Sequence, residues 1–430
     1  MPDDVTNEQG DPRPAYELRG NLAPFGYRNY ALYWVGLATT RSGRAIEDLG
    51  AVWLVYQLTE SPALLGILGL ARAVPSIVLG PIAGVISDRV DQRRLLFATQ
   101  GLGLLASLVL GVLIVIGRVE FWYVYVQVAI QAAIDVFDGA ARQALFPRLV
   151  QRRHLSEAVT LSSTAARMST LIGPAVGGVA IANLGEASPF LLNAATFLGL
   201  MAALAAMRHV APIERTPGAS FRLDLSEGFR HIRSAPLLSG LLKLEFVFGI
   251  LQVNSVIITI VGREVLEVGP EALGALLSAP ALGALIGLAI VLTLGQAKRQ
   301  GRLVISCMLA YAAALLVFAV SGTYLLSFAA IAAMGLLDSL STVTRHSVMQ
   351  LASPSHLRGR VMGNMGTVTR GTTPLAQLES GVVSGALGGP LALVAAAGVL
   401  AVAATYMGRT NQALWEFSRD EYRTEPAEGS

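Results

Sequence analysis

The stretch Gly80-Pro-Ile-Ala-Gly84-Val-Ile-Ser-Asp88-Arg89-Val-Asp91-Gln-Arg93-Arg94-Leu95 closes one long apolar run with a compact knot of charge and opens another at once. Hydrocarbon excludes such charges and admits both flanking runs, so the stretch reads as a tight surface turn between two membrane helices. Arg89, Arg93 and Arg94 assign that turn to the cytoplasmic face, because short cytoplasmic loops retain Lys and Arg. Gly80 and Gly84, four residues apart, predict a close approach between this helix and a neighbour.

Composition agrees. Of 430 residues, 53% are hydrophobic and only 14% charged, against roughly 25% charged in soluble domains. The net charge of +3 is no nucleic-acid signal, since the basic residues cluster in the connections of one membrane face. The single cysteine, Cys307, lies in an apolar run and can form no intrachain disulfide. The first 29 residues are polar and lack the short apolar core of a secretory signal, so the first hydrophobic helix is expected to direct insertion.

The pattern G-x-x-x-D-R-x-x-x-R at Gly84, Asp88, Arg89 and Arg93 resembles the signature loop between helices 2 and 3 of the major facilitator superfamily. Asp91 departs from the commonest form, which has Gly there. The form D-R-V-D-x-R-R resembles the branch that contains the enterobactin exporter and macrolide efflux proteins. The resemblance implies that the loop Asp and Arg latch onto the cytoplasmic end of helix 4, where Asp138 and Arg142 stand. It covers nearly the whole chain, from Arg28 to about Arg409. On the fifth span, Gly173-Pro174-Ala-Val-Gly177-Gly178 resembles the G-P-x-x-G-G motif of antiporters and exporters in the same superfamily. Physically, its glycines permit close packing and its proline removes one backbone bond. Phe190-Leu-Leu-Asn193-Ala-Ala, downstream, is similar to the same exporter branch.

Twelve spans long enough to cross about 30 Å of hydrocarbon follow from hydropathy: 30–57, 63–86, 95–117, 121–146, 156–182, 190–207, 237–262, 271–294, 303–321, 323–348, 360–385 and 389–408. The expected fold is therefore an all-α membrane protein of twelve transmembrane helices in two pseudo-symmetric six-helix halves. Its parts are a cytoplasmic tail 1–29, a first half 30–207, a cytoplasmic linker 208–236, a second half 237–408 and a cytoplasmic tail 409–430. The odd-side turns hold only Arg118 and Arg263, and the remaining loop charge faces the other way, so both termini are expected in the cytoplasm. Leu223 to Arg233 has an amphipathic pattern that suits either a surface helix or a solvated linker.

The halves repeat. Ser61-Pro62-Ala-Leu-Leu-Gly66 echoes Gly269-Pro270-Glu-Ala-Leu-Gly274, and Asp135, Arg142 and Arg167 recur as Asp338, Arg345 and Arg370 at one offset of 203 residues (135 to 338). Such repeats mark transporters whose halves rock about a central site. The counterpart of the signature loop, Gly295 to Arg302, has no Asp, which predicts a latch that differs between halves.

Ionisable side chains within membrane spans are costly, so each should face the interior with a partner. The first span carries Arg41, Arg44, Glu47 and Asp48; Arg41, Arg44 and Asp48 share one face and Glu47 borders it. The resemblance implies that helices 1, 4, 7 and 10 line a central cavity, which adds Asp135 and Asp138, Glu245, and Asp338. Arg72, Arg167 and Arg370 stand on bordering helices. These groups either bind substrate and carry protons or form silent structural pairs. Asp48 and Asp135 are the candidate proton carriers, with Arg44 as the nearest cation to Asp48 in sequence.

No phosphate-binding glycine loop and no His-Glu-x-x-His run is present. The five histidines lie near cytoplasmic ends, so neither cofactor, metal site nor enzymatic activity is expected. The function implied is proton-coupled export of a small organic molecule by a monomer in the bacterial cell membrane, with no nucleic-acid partner. Lysophospholipid transport, nutrient uptake and a non-transporting sensor are the competing readings.

Overall fold

The computed structural model describes residues 20–207, 229–294, 299–355, 357–415 and 417; the side chains of Pro81, Asp88 and Leu294 lie outside the description. Among the described residues there is no strand. The long elements are α1 (Arg28–Thr59), α2 (Pro62–Arg89), α3 (Gln92–Val115), α4 (Phe121–Leu145), α5 (Leu155–Leu184), α6 (Ser188–Ala206), α7 (Pro236–Leu251), α8 (Ser255–Glu264), α9 (Pro270–Leu294), α10 (Gln300–Val320), α11 (Tyr324–Leu351), α12 (Arg358–Leu387) and α13 (Gly389–Thr410), with a short terminal turn α14 (Gln412–Trp415).

Ten stretches are long and apolar enough to cross a membrane, α7 and α8 together forming one of them. Two further helices, α1 with 32 residues and α12 with 30, have the length but carry several charges along it. The turn between α10 and α11 is confined to Ser321, Gly322 and Thr323, as its spacing required.

The span expected at 237–262 is not continuous. It breaks at Gln252–Asn254, where no Gly or Pro gave warning. Asn254 makes the break: its side-chain oxygen accepts from the amides of Val256 and Ile257 and caps α8. Its Nδ2 donates to Ser380 Oγ at 2.9 Å and to the Ala376 carbonyl at 3.2 Å. A side-chain amide that caps a helix and holds α12 competes well with one more turn of helix.

The signature turn is equally tight. Asp91, the departure from the commonest motif, is the N-cap of α3, its carboxylate accepting from the Arg94 amide at 2.9 Å. The close approach expected of Gly80 and Gly84 does not occur: nothing lies within 4 Å of where a Cβ would stand at either. Both sit on the exposed flank of α2.

The described residues group into two compact units. Of the described residues, unit 1 comprises those up to Glu60, then 70–207 and 269–278; unit 2 comprises 61–69, 229–268 and those from Ala279 onward. In unit 1, α1 packs along α5 and α6, and α3 along α4 and α6. One end of this unit is an aromatic and aliphatic core of Tyr27, Tyr30, Tyr33, Leu145 and Leu204. Tyr30 donates to the Ala158 carbonyl at 3.0 Å and Trp34 to the Leu161 carbonyl at 3.1 Å, fixing α1 on the first turns of α5. In unit 2, α10 packs on α11 and α13, and α12 on α7. The terminal turn rests on α10: the Arg302 guanidinium lies 5.2 Å from the Trp415 ring.

The echo between residues 61–66 and 269–274 has a common physical cause. Gly66 meets Gly381 of α12 within unit 2, where an added Cβ would stand 2.9 Å from the Gly381 Cα. Gly274 meets Gly178 of α5 within unit 1, where an added Cβ would be 3.1 Å from the Gly178 Cα and closer still to the Pro174 carbonyl. Each repeat brings two helix backbones to glycine distance.

Of the connection Arg208–Ala235, only 229–235 are described, and 229–234 are helical. The rest of the amphipathic stretch beginning at Leu223 lies outside the described residues, as do Gly295–Lys298 of the second-half loop.

Candidate functional site

The charges of unit 1 divide into three groups. The first is a chain of ion pairs on α1, α2 and α4. Arg44 donates to Asp135 of α4 at 3.0 Å, and Arg72 of α2 donates to Asp48 at 2.6 Å. Arg44 also stands 3.8 Å from Asp48, which joins the two pairs. Asp48 therefore takes its short bond from Arg72, 24 residues away, and only a longer contact from Arg44, its expected partner. The carboxylates remain open: the Asp48 side chain is 41% exposed and that of Asp135 61%. Arg41, one turn before Arg44, is exposed.

The second group surrounds Glu47. Unlike its neighbours, Glu47 is buried. Gln127 Nε2 donates to its Oε1 at 2.6 Å and Ser107 Oγ at 3.1 Å, while Asn193 Nδ2 donates to Oε2. Gln131 joins through Ser107 at 3.1 Å. One carboxylate thereby ties together α1, α3, α4 and α6, and Arg44 Nη1 lies 3.9 Å away. Neutral amide and hydroxyl donors replace water around a buried acid, the condition under which such a group is tolerated in an interior.

The third group is Asp138 with Arg142, one helical turn apart on α4 and paired at 2.9 Å. Thr99 and Gln100 of α3 also donate to Asp138, Gln100 at 2.6 Å. The signature loop is not among these partners. Arg93 donates instead to the Ala205 carbonyl at the end of α6, at 3.1 Å, and Arg89 is exposed. The structure thus does not bring Arg89 or Arg93 to Asp138, as the expected latch would, and the Asp88 side chain lies outside the described residues. With α3 donors and Arg142 already on the Asp138 carboxylate, Arg93 of the turn bonds the end of α6 instead.

In unit 2 one ion pair is wholly buried. Arg345 Nε stands 2.9 Å from Glu245 Oε2, with the two side chains 1% and 5% exposed. Arg345 also donates to Ser341 and Thr342, each at 2.9 Å, and its guanidinium lies 4.9 Å over the Phe248 ring. Thr369 of α12 donates to the other Glu245 oxygen at 2.8 Å. Asp338 is 3.8 Å from Arg345 and accepts from Thr342 at 3.0 Å. The repeat of Asp135 and Arg142 as Asp338 and Arg345 is therefore one of sequence position, with different pairing: Arg142 takes its carboxylate from its own helix, Arg345 from α7. The counterpart of Asp138 at the same offset is Ser341, so Arg345 meets a hydroxyl on its own helix there and has its close carboxylate on α7. Arg167 and Arg370 are both exposed.

The α5 motif is a packing device. Added Cβ atoms at Gly173 and Gly177 would run into Ala45 and Leu49 of α1, and one at Gly178 into the Pro270 carbonyl. Helix α5 runs through Pro174 unbroken. Sequence reasoning missed Gln127, Gln131, Ser107, Asn254, Thr369 and Glu379. The spacing of Gln127 and Gln131, four apart in an apolar helix, was an available signal for a polar partner; Glu379 was legible as a carboxylate within a span.

Long apolar helices in two units, each with charge clusters inside the spans, define a membrane transporter of the major facilitator class. The family described as transmembrane secretion effector matches residues 19–425, and the chain belongs to it. The chain is 28% identical over 389 residues to the MFS-type transporter YfiS of Bacillus subtilis (strain 168), covering 84% of this chain and 89% of that one. It is 26% identical over 360 residues to the multidrug efflux pump Tap of Mycolicibacterium fortuitum, covering 81% and 88%. To the enterobactin exporter EntS of Salmonella typhimurium it is 24% identical over 292 residues, 66% of this chain and 68% of that one. Among solved structures, a bacterial homologue of the human lysosomal transporter Spinster superimposes with a TM-score of 0.73 at 13% identity, over 91% of this chain and 99% of that one. The nucleoside transporter NupG gives 0.69 at 12%, over 91% and 99%. At such identities these structures speak for the fold.

Proposed function

We propose that this transporter is a proton-coupled exporter of small organic molecules, of the siderophore or antibiotic kind, working by alternating access in the bacterial cell membrane. In this reading it acts as a monomer, crosses the membrane twelve times, and divides into halves 30–207 and 237–408, with tails and linker in the cytoplasm. Tap and EntS, named as exporters, support the direction of transport.

The observation that carries the proposal is the open chain Asp135–Arg44–Asp48–Arg72. Its carboxylates lie far inside helices yet stay accessible, and each is held by an arginine that could be surrendered. A carboxylate that exchanges its arginine for a proton alternates between two charge states, and cargo or conformation can bias that exchange. Glu47, enclosed by Gln127, Asn193 and Ser107, is positioned as a structural tie instead. Exposed Arg41 and Arg167 give the same unit positive charge for an anionic or zwitterionic cargo.

The test uses inside-out vesicles with an imposed pH gradient and a panel of fluorescent dyes, macrolides and catecholate siderophores. Cargo addition should dissipate the gradient in vesicles holding the wild type. Asp48→Asn or Asp135→Asn should abolish that response while leaving the protein in the membrane. Transport indifferent to collapse of the gradient would remove proton coupling; unaltered response in both variants would remove these two carriers.

A further inference from the structure

Glu379 is used by none of the clusters above. It lies in α12, two turns before the helix ends at Leu387. Among the described residues no cation stands within ion-pair distance of its carboxylate, and its described hydrogen bond is a long one, 3.4 Å from the Ser380 hydroxyl. A bare carboxylate at this depth is strongly disfavoured in a membrane span.

Glu379 lines a small pocket within unit 2, together with Leu251, Gln252 and Val253 of the break between α7 and α8, and with Ser380. The remaining wall is apolar, from α8, α10 and α13. Broken helices leave carbonyls without intrahelical partners, and the end of α7 carries the negative pole of its dipole. Here the Gly249 carbonyl accepts from Gln252 and the Gln252 carbonyl from Asn254. Among the described hydrogen bonds none from outside α7 ends on the Leu251 or Val253 carbonyl. The Val253 amide is taken by the Tyr311 hydroxyl at 2.8 Å.

Among the described residues the pocket thus gathers a carboxylate, the Leu251 and Val253 carbonyls at the helix break and a negative helix pole, with no positive group in its lining. The facing elements supply none: the lining residues of α7, α8, α10 and α13 are uncharged, Tyr311 is the ionisable neighbour from α10, and residues 61–69 of α2, packed on α12, carry no charge. Unwound carbonyls beside an acid are the chemistry by which membrane proteins hold small cations. We infer that Glu379 and the broken α7–α8 segment form a binding site for a small monovalent cation, H⁺ or Na⁺, in unit 2, separate from the charge chain of unit 1.

Thermal stability of the purified full chain tests this without any cargo, so its outcome is independent of the export reading. Wild type and Glu379→Gln are compared from pH 5 to pH 9, in choline chloride and in NaCl at equal ionic strength. The expected result is that the wild type loses stability relative to Glu379→Gln as pH rises in choline, because the proton leaves a bare charge behind. If Na⁺ restores the wild type's stability at high pH and so closes the gap to Glu379→Gln, the site also takes Na⁺; if Na⁺ has no effect, it is a proton site. Parallel curves for the two proteins under all conditions would overturn the proposal. Labelling by a hydrophobic carbodiimide, located by peptide mass spectrometry, supplies the second readout. Modification of Glu379 should fall at least tenfold between pH 5 and pH 9, and equal modification across that range, with and without Na⁺, would likewise overturn it.

Discussion

Replacing Arg345 by Leu removes the cation that stands 2.9 Å from Glu245 in the interior of unit 2. Glu245 is 4% exposed, so bulk solvent does not reach it, and the Thr369 hydroxyl remains as its neutral donor. Breaking a buried pair from one side costs about 3–5 kcal/mol, because the surviving charge stays buried. At roughly 1.4 kcal/mol per tenfold, that is about two to three and a half decades in the folding equilibrium. Removing both charges is different. In Arg345→Met with Glu245→Gln, the Gln keeps an acceptor for Thr369 and the Met fills the space over Phe248, so most of the loss should return. The assay is a double-mutant cycle on purified protein, following unfolding by denaturing detergent or heat. Arg345→Leu should be severely destabilised, Glu245→Gln less so, and the double variant close to wild type. A coupling energy near zero between positions 245 and 345, or an Arg345→Leu protein as stable as the wild type, would refute this account of the pair.

The glycines of α2 and α5 offer a contrast of matched substitutions. Gly178→Ala should lower thermal stability markedly, because the new methyl meets the Pro270 backbone, whereas Gly84→Ala should be close to neutral, because open space surrounds it; equal effects would contradict the packing described. Asp91→Ala should cost about 1 kcal/mol through loss of the α3 N-cap, and Asp91→Ser should recover most of it. Thermal unfolding of the two variants side by side decides whether capping is the reason for Asp there.

The class of fold, the placing of most long helices and much of the inventory of charge were legible in the chain alone. Apolar runs of bilayer length separated by charged turns leave little choice, since a membrane-spanning backbone must satisfy its own hydrogen bonds. The 203-residue offset of the charges and the paired Pro-x-x-x-Gly segments were equally visible, and the structure supplies the meaning of the second as glycine contacts, Gly66 with Gly381 and Gly178 with Gly274. Partners were another matter. Neighbours in sequence suggested Arg44 for Asp48, but Arg72 arrives from α2 at 2.6 Å and Arg44 turns to Asp135. Asp138 is filled from α3, not from the signature turn, and Arg142 and Arg345 hold equivalent positions yet take carboxylates from different helices. Helical periodicity fixes which face of a helix a charge occupies; which of several competing partners reaches it depends on how neighbouring helices pack and rotate. The break at Asn254 is the same kind of fact: an Asn within an apolar run reads as one polar residue, and becomes a helix cap only because Ser380 and Ala376 of α12 are there to take its amide.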